Sequence, residues 1–205
     1  MRPVILISAG LALLAAPLPA QGAGDDGAFQ ARIFGHGLGK AKGYACFKRI
    51  YTADHLKSHP QQNVRTMLLL VTGAGAVEAE TETRYTAGIG VTFRKVGARF
   101  ETYGDCPSLK VAAQLGEGDK DALACSIDCD GGHIGVRLKD GKTVLVSIPD
   151  GARITEAGKD DEEGSDARKR FGADDKLFRL DRTGLADCLP LAGEDDDKAA
   201  LKRGP

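Results

Sequence analysis

Ala122–Ile148, ALACSIDCDGGHIGVRLKDGKTVLVSI, is the stretch on which the fold class turns. Ile134, Val136 and Leu138 alternate with Gly135 and Arg137, the period of two expected when one face of a strand is buried. Asp130-Gly131-Gly132 precedes this run and Asp140-Gly141 follows it. Both are turn signals, because a two-residue hairpin turn needs positive φ and glycine accepts it. Thr143 to Ile148 returns and stops at Pro149-Asp150-Gly151. Three short strands joined by glycine turns predict an antiparallel meander.

The neighbouring segments extend the same pattern. In Arg84–Arg94, Tyr85, Ala87, Ile89, Val91 and Phe93 alternate with smaller or polar residues, and Ala98 to Tyr103 is expected to return beside it. Met67-Leu68-Leu69-Leu70-Val71 is an unbroken apolar run that ends at Thr72-Gly73, as in a strand buried on both faces. Thr52 can cap a short helix over residues 52–59 that Pro60 ends. Phe29 to Phe34 reads as a first strand and Leu177 to Leu180 as a last one, with a turn or helix around Cys188. The expectation is an all-β protein, an antiparallel meander closed into a barrel or sandwich, with one short helix near residues 52–59.

The ends of the chain differ from this middle. Arg2 precedes a largely apolar run of thirteen residues, Val4 to Ala16, and helix breakers and small residues follow up to Gly22. Residues 1–22 therefore read as a secretory signal peptide. The apolar run is too short to span about 30 Å of hydrocarbon, so no membrane anchor is expected. A single domain is expected over residues 23–193. Within it the charged run 158–175 reads as a flexible insertion, having Phe171 as its one large apolar side chain. Residues 194–205 read as a charged, frayed tail. The near balance of 28 basic and 29 acidic residues gives no electrostatic footprint for nucleic acid. Arg94, Lys95 and Arg99 lie between Phe93 and Phe100, but Phe93 falls on the apolar face of its strand and reads as core.

Cys46, Cys106, Cys125, Cys129 and Cys188 would all meet an oxidising periplasmic or extracellular compartment, where disulfides persist. Two bridges among five cysteines can be drawn in about fifteen ways. If Ala122 to Cys129 is one strand, Cys125 and Cys129 lie roughly 13 Å apart, at about 3.3 Å per residue. A disulfide needs Cα atoms within about 7 Å, so these two are not expected to pair. Cys-x-x-x-Cys is also not the spacing of a thioredoxin-like site.

His55 and His59, spaced i, i+4, share one helix face and are the candidate metal ligands, with His36 or His133 as a possible third. The residue after His55 is Leu56, where a zincin has glutamate. Asp128–His133 reads as a hairpin turn. No phosphate loop, dinucleotide fingerprint or nucleophile elbow occurs, and no cofactor is implied. The pattern is similar to that of small periplasmic barrels such as lipocalins and lysozyme inhibitors. The chain has no tryptophan, however, and so no lipocalin Gly-x-Trp signature. The expected function is an exported, disulfide-stapled, non-enzymatic domain that binds a protein, an envelope component or a small ligand. A cavity lined by Tyr85, Ile89, Val91, Phe93 and Phe100 would favour a small ligand, and a filled interior a partner met at the surface. The alternative is a metal-binding periplasmic protein.

Overall fold

A computed structural model describes residues 26–75, 83–116, 119–128, 130–159 and 167–204. The expected leader and Cys129 lie outside the described residues. Eight antiparallel strands close into a barrel: β1 (Lys42–Ile50), β2 (Val64–Ala74), β3 (Arg84–Phe93), β4 (Val96–Cys106), β5 (Ala122–Ile127), β6 (Gly132–Leu138), β7 (Thr143–Ser147) and β9 (Leu177–Arg182). Their order is β3-β2-β1-β9-β7-β6-β5-β4, and β4 returns to β3; the two-residue β8 (Thr155–Glu156) adds to the edge of β4. The all-β antiparallel class is as expected, and the barrel is the closed form of it.

Alternation builds the interior. Met67, Leu69 and Val71 of β2, Ala87, Ile89 and Val91 of β3, and Ile134 and Val136 of β6 belong to one buried cluster. In an eight-stranded barrel the interior is just wide enough for its own side chains to fill. The run Met67–Val71 is buried on both faces, as its composition predicts. Leu69 points into the barrel cluster, while Leu70 belongs to a second cluster with Cys46, Cys188, Leu191 and Leu201.

The barrel consists of two unequal halves. Strands β1 to β4 pair along nearly their whole length, and β5, β6, β7 and β9 form a shorter sheet. The halves meet at two narrow seams. Between β4 and β5 the only residues in register are Asp105 and Ser126; between β1 and β9 they are Phe47 with Arg182 and Lys48 with Asp181. Each seam carries a disulfide. Cys106–Cys125 flanks the first, with Cα atoms 4.1 Å apart, and Cys46–Cys188 flanks the second, at 5.9 Å. These bridges take four of the five cysteines.

One end of the barrel is closed by α1 (Asp26–Phe34), a helix where a strand was expected over Phe29–Phe34. A six-residue apolar stretch does not distinguish the two periods. Here Phe29 and Ile33, one helical turn apart, both enter the core, and Gly35 at φ +85° stops the helix. Buried Gln30 donates to the Tyr85 hydroxyl (3.2 Å) and accepts from the Leu38 N–H (3.0 Å), while Tyr85 donates to Asp26 (2.8 Å). Gly43 and Gly73 face each other across β1 and β2, and a Cβ on either would stand within 2.9 Å of Leu38 and Phe34. Their bare backbone lets the plug seat.

Of the expectations about the charged segments, the frayed tail is corrected, and the flexible insertion is corrected over residues 167–175. Within the expected frayed tail 194–205, α4 (Asp195–Arg203) lies over the outer face of β1 with Leu201 fully buried, and Pro205 lies outside the described residues. Its acids stand in the first turn and Lys202 and Arg203 in the last, which suits the helix dipole. Lys42 binds Glu194 (3.1 Å) and Asp197 (3.0 Å), and Tyr44 donates to Asp197 (2.6 Å). Of the expected insertion 158–175, residues 160–166 lie outside the described residues, and residues 167–175 form a packed loop. The Asp140-Gly141 turn joins β6 to β7 as expected, but Gly141 is not at positive φ; the Asp140 carboxylate holds the turn by accepting the Lys142 N–H at 2.8 Å. Helices α2 (Ala53–Ser58), capped by Thr52 as expected, and α3 (Leu109–Gln114) complete the fold. No helix among the described residues is long and apolar enough to cross a membrane.

The α4 dock carries a pH signature. Burial pushes the Asp197 carboxyl up, but the hydrogen bonds from Tyr44 and Lys42 outweigh it and leave it below its ordinary 3.8. Burial and Asp197 together push the Tyr44 phenol up to about 12. A carboxyl lowered on folding contributes stability that is present above its unfolded pKa and lost as the pH falls through the folded one. Amide exchange of α4 should therefore accelerate below about pH 4, ahead of the barrel, and this early step should vanish in Asp197→Asn.

Candidate functional site

The residues that could have lined an internal chamber do not leave one among themselves. Tyr85, Ile89, Val91, Phe93 and Phe100 are all in the packed core, and α1 adds Phe29 and Ile33 to it. Phe93 and Phe100 meet edge to face at 5.6 Å, as do Phe93 and Phe171.

His55 lies on α2 and His59 is the C-cap that follows it, their rings stacked 4.2 Å apart with Tyr51 against His55 at 4.7 Å. His55 Nε2 is 3.0 Å from the Gln62 amide oxygen, and His59 Nδ1 is 2.9 Å from the His55 carbonyl. Each ring thus has one nitrogen engaged, and near-parallel planes (17°) do not aim the other two at a common point. His36 lies beyond α1, at the opposite end of β1, and His133 lies on β6 opposite Ser126. Among the described residues no three His, Cys, Asp or Glu side chains gather as a metal site.

The outer surface carries clefts. The first opens in the wall beside the β4–β5 seam. There β8 pairs with Phe100 and Glu101 and β5 with Asp105, so among the described residues no strand pairs with Thr102–Gly104 on that edge. The resulting space, about 370 Å³, is lined by Glu101, Tyr103, Asp128 and Arg153 among others. Tyr103 is 46% exposed and lies over Gly88, where a Cβ would come within 3.0 Å of its ring. Burial of its remainder, with Glu101 nearby, pushes the Tyr103 phenol up to about 12, so it is a neutral hydroxyl at physiological pH. Arg99 already pairs with Glu101 at 3.3 Å. Acids and bases are mixed here.

The second cleft, about 270 Å³, lies at the end of the barrel opposite α1. Its walls are Asn63, Arg94, Lys95 and Arg170 over Phe93 and Val96. The β3–β4 turn supplies Arg94 and Lys95. The Arg94 N–H donates to the Asn63 carbonyl (2.9 Å), and its guanidinium donates to the carbonyls of Leu56 and His59, the latter at 2.6 Å. Those carbonyls belong to the negative end of α2, so the side chain is held in place without losing its charge. Arg170 comes from a 3₁₀ turn (Arg168–Arg170), and its guanidinium lies 5.0 Å above the Phe100 ring.

A buried carboxylate fixes this wall. Asp175, only 1% exposed, accepts the backbone N–H groups of Asn63 (2.8 Å), Val64 (3.2 Å) and Gly172 (2.8 Å). Burial pushes its pKa up, and the three N–H groups offset part of that shift. Asn63 in turn donates to the Arg170 carbonyl at 2.9 Å. Gly172 packs so closely that a Cβ would stand 1.8 Å from the Gln61 oxygen. The Asp175 loop and the start of β2 are therefore one rigid frame. Sequence reading missed Arg170 and Asp175, because both sit in a charged run and the partners that place them, Asn63, Val64 and Phe100, lie far off in the sequence. Arg94 and Lys95 carried a signal, basic residues between aromatics, and the aromatics proved to be core while the cations line the cleft.

No protein-family model, curated protein or solved structure matches this chain.

Proposed function

We propose that the protein is an exported, non-enzymatic binding barrel that works in the periplasm or outside the cell and meets its ligand with its outer surface. The observation that carries this reading is the filled interior: side chains of the barrel and of α1 occupy the space where an enclosing barrel would hold a ligand. Two intrachain disulfides are compatible with an oxidising compartment, and the leader-like residues 1–22 supply a route to it. Without a catalytic motif or a gathered set of metal ligands among the described residues, the rigid clefts outside the barrel are the best candidates for recognition.

Expressed as the full chain in a bacterial host, the protein should be recovered from the periplasm, cleaved near Gly22, with four cysteines protected from alkylation until reductant is added. Recovery from the cytoplasm at full length with five reactive thiols would overturn the compartment. A neutral apolar dye such as Nile red should show no saturable binding to the folded protein. One-to-one binding that weakens in Ile89→Ala would instead place the ligand inside the barrel.

A further inference from the structure

We infer that the cleft between Asn63, Arg94, Lys95 and Arg170 is a binding site for a phosphate monoester. This rests on the reading that the barrel recognises its ligand from outside.

Three cations line one small space, and among the described residues none of them is paired with a carboxylate. Arg32, Lys42, Lys48, Arg49 and Arg137, by contrast, are each held by a carboxylate. Arg94 is fixed by two carbonyls, and its Nε is buried without a hydrogen-bond partner. Arg170 is steadied over Phe100, whereas Lys95 is exposed and makes no polar contact of its own among the described residues. Two guanidinium groups held in place and one exposed ammonium are the donors that a multiply charged oxyanion needs.

The chemistry of the floor narrows the class. A phosphate monoester carries nearly two negative charges at neutral pH, against one for a carboxylate or a phosphodiester, and three cations favour the dianion. The space of about 270 Å³ extends over Phe93 and Val96, so an organic group attached to the phosphate would rest on apolar surface. The same chemistry is offered by a soluble phosphate ester and by a lipid headgroup such as phosphatidic acid.

The mature protein would be titrated by amide-resolved NMR with inorganic phosphate and with glycerol 3-phosphate, each against sodium chloride of equal ionic strength. Saturable shifts should centre on Asn63, Arg94, Lys95 and Arg170. Lys95→Gln/Arg170→Gln, which changes two exposed side chains, should weaken binding by about tenfold or more with little change in melting temperature. Co-sedimentation with phosphatidylcholine vesicles, with and without phosphatidic acid, then separates the sources. Binding to the acidic vesicles that the double variant loses assigns a lipid headgroup, and binding confined to the soluble ester assigns a metabolite. Shifts no larger than those with chloride, or equal binding by the double variant, would overturn the site while leaving the exported, filled barrel standing. Binding that appears only when Asp160, Asp161, Glu162 and Glu163 are neutralised would also overturn it, by making the chain's own acidic run the occupant.

Discussion

Closure of the barrel at two thin seams is the constraint on which the rest of the structure depends. A ladder of one residue pair between β4 and β5, and of two between β1 and β9, contributes little beside the long ladders within β1–β4. The bridges stand where the ladders fail. In the chain-entropy view, Cys46–Cys188, closing 142 residues, contributes about 5 kcal/mol, and Cys106–Cys125, closing 19, about 3 kcal/mol. Either is a large part of the ~5–15 kcal/mol that holds a typical domain folded. The two bridges are compatible with an oxidising compartment; with the thiols reduced, the half-sheets keep their shared core and short ladders but lose these covalent ties.

The bridges also have different neighbourhoods. Cys106–Cys125 is part of the barrel interior, so it joins the wall from within. Cys46–Cys188 lies outside, under the 3₁₀ turn Leu185–Leu191 and α4, and fastens the C-terminal segment over β1 and β2. With one end plugged by α1 and the interior filled, the clefts lie on the outer wall and at the end framed by Asp175. Both clefts follow from the same architecture. The first opens where β5 and β8 diverge along β4, and the second where the loop 170–175 is pinned to the start of β2.

Much of the barrel was legible because its signals are local. The alternation in β3 and β6, the doubly buried run Met67–Val71 and the Thr52 cap each depend on residues within one element. The pairing of cysteines was not, since it depends on which strands become neighbours, and β9 returns to β1 only after the shorter sheet is complete. Nor was α1, where Phe29 and Ile33 fit either period until the barrel end presents Gly43 and Gly73. The tail and residues 167–175 were misjudged for a shared reason: average charge hides a single decisive contact. Leu201 and Asp197 anchor the tail, and Asp175 anchors the loop. The histidine pair came together as its spacing implied, with no third ligand beside it among the described residues.

Native-state hydrogen exchange on Cys106→Ala/Cys125→Ala tests the closure account most directly. If the bridge holds the seam, protection should fall first at Asp105, Cys106→Ala, Cys125→Ala and Ser126, while β1, β2 and β3 keep theirs. Loss spread evenly over all strands, or protection unchanged at the seam, would contradict the account, because the ladders alone would then be holding the barrel closed.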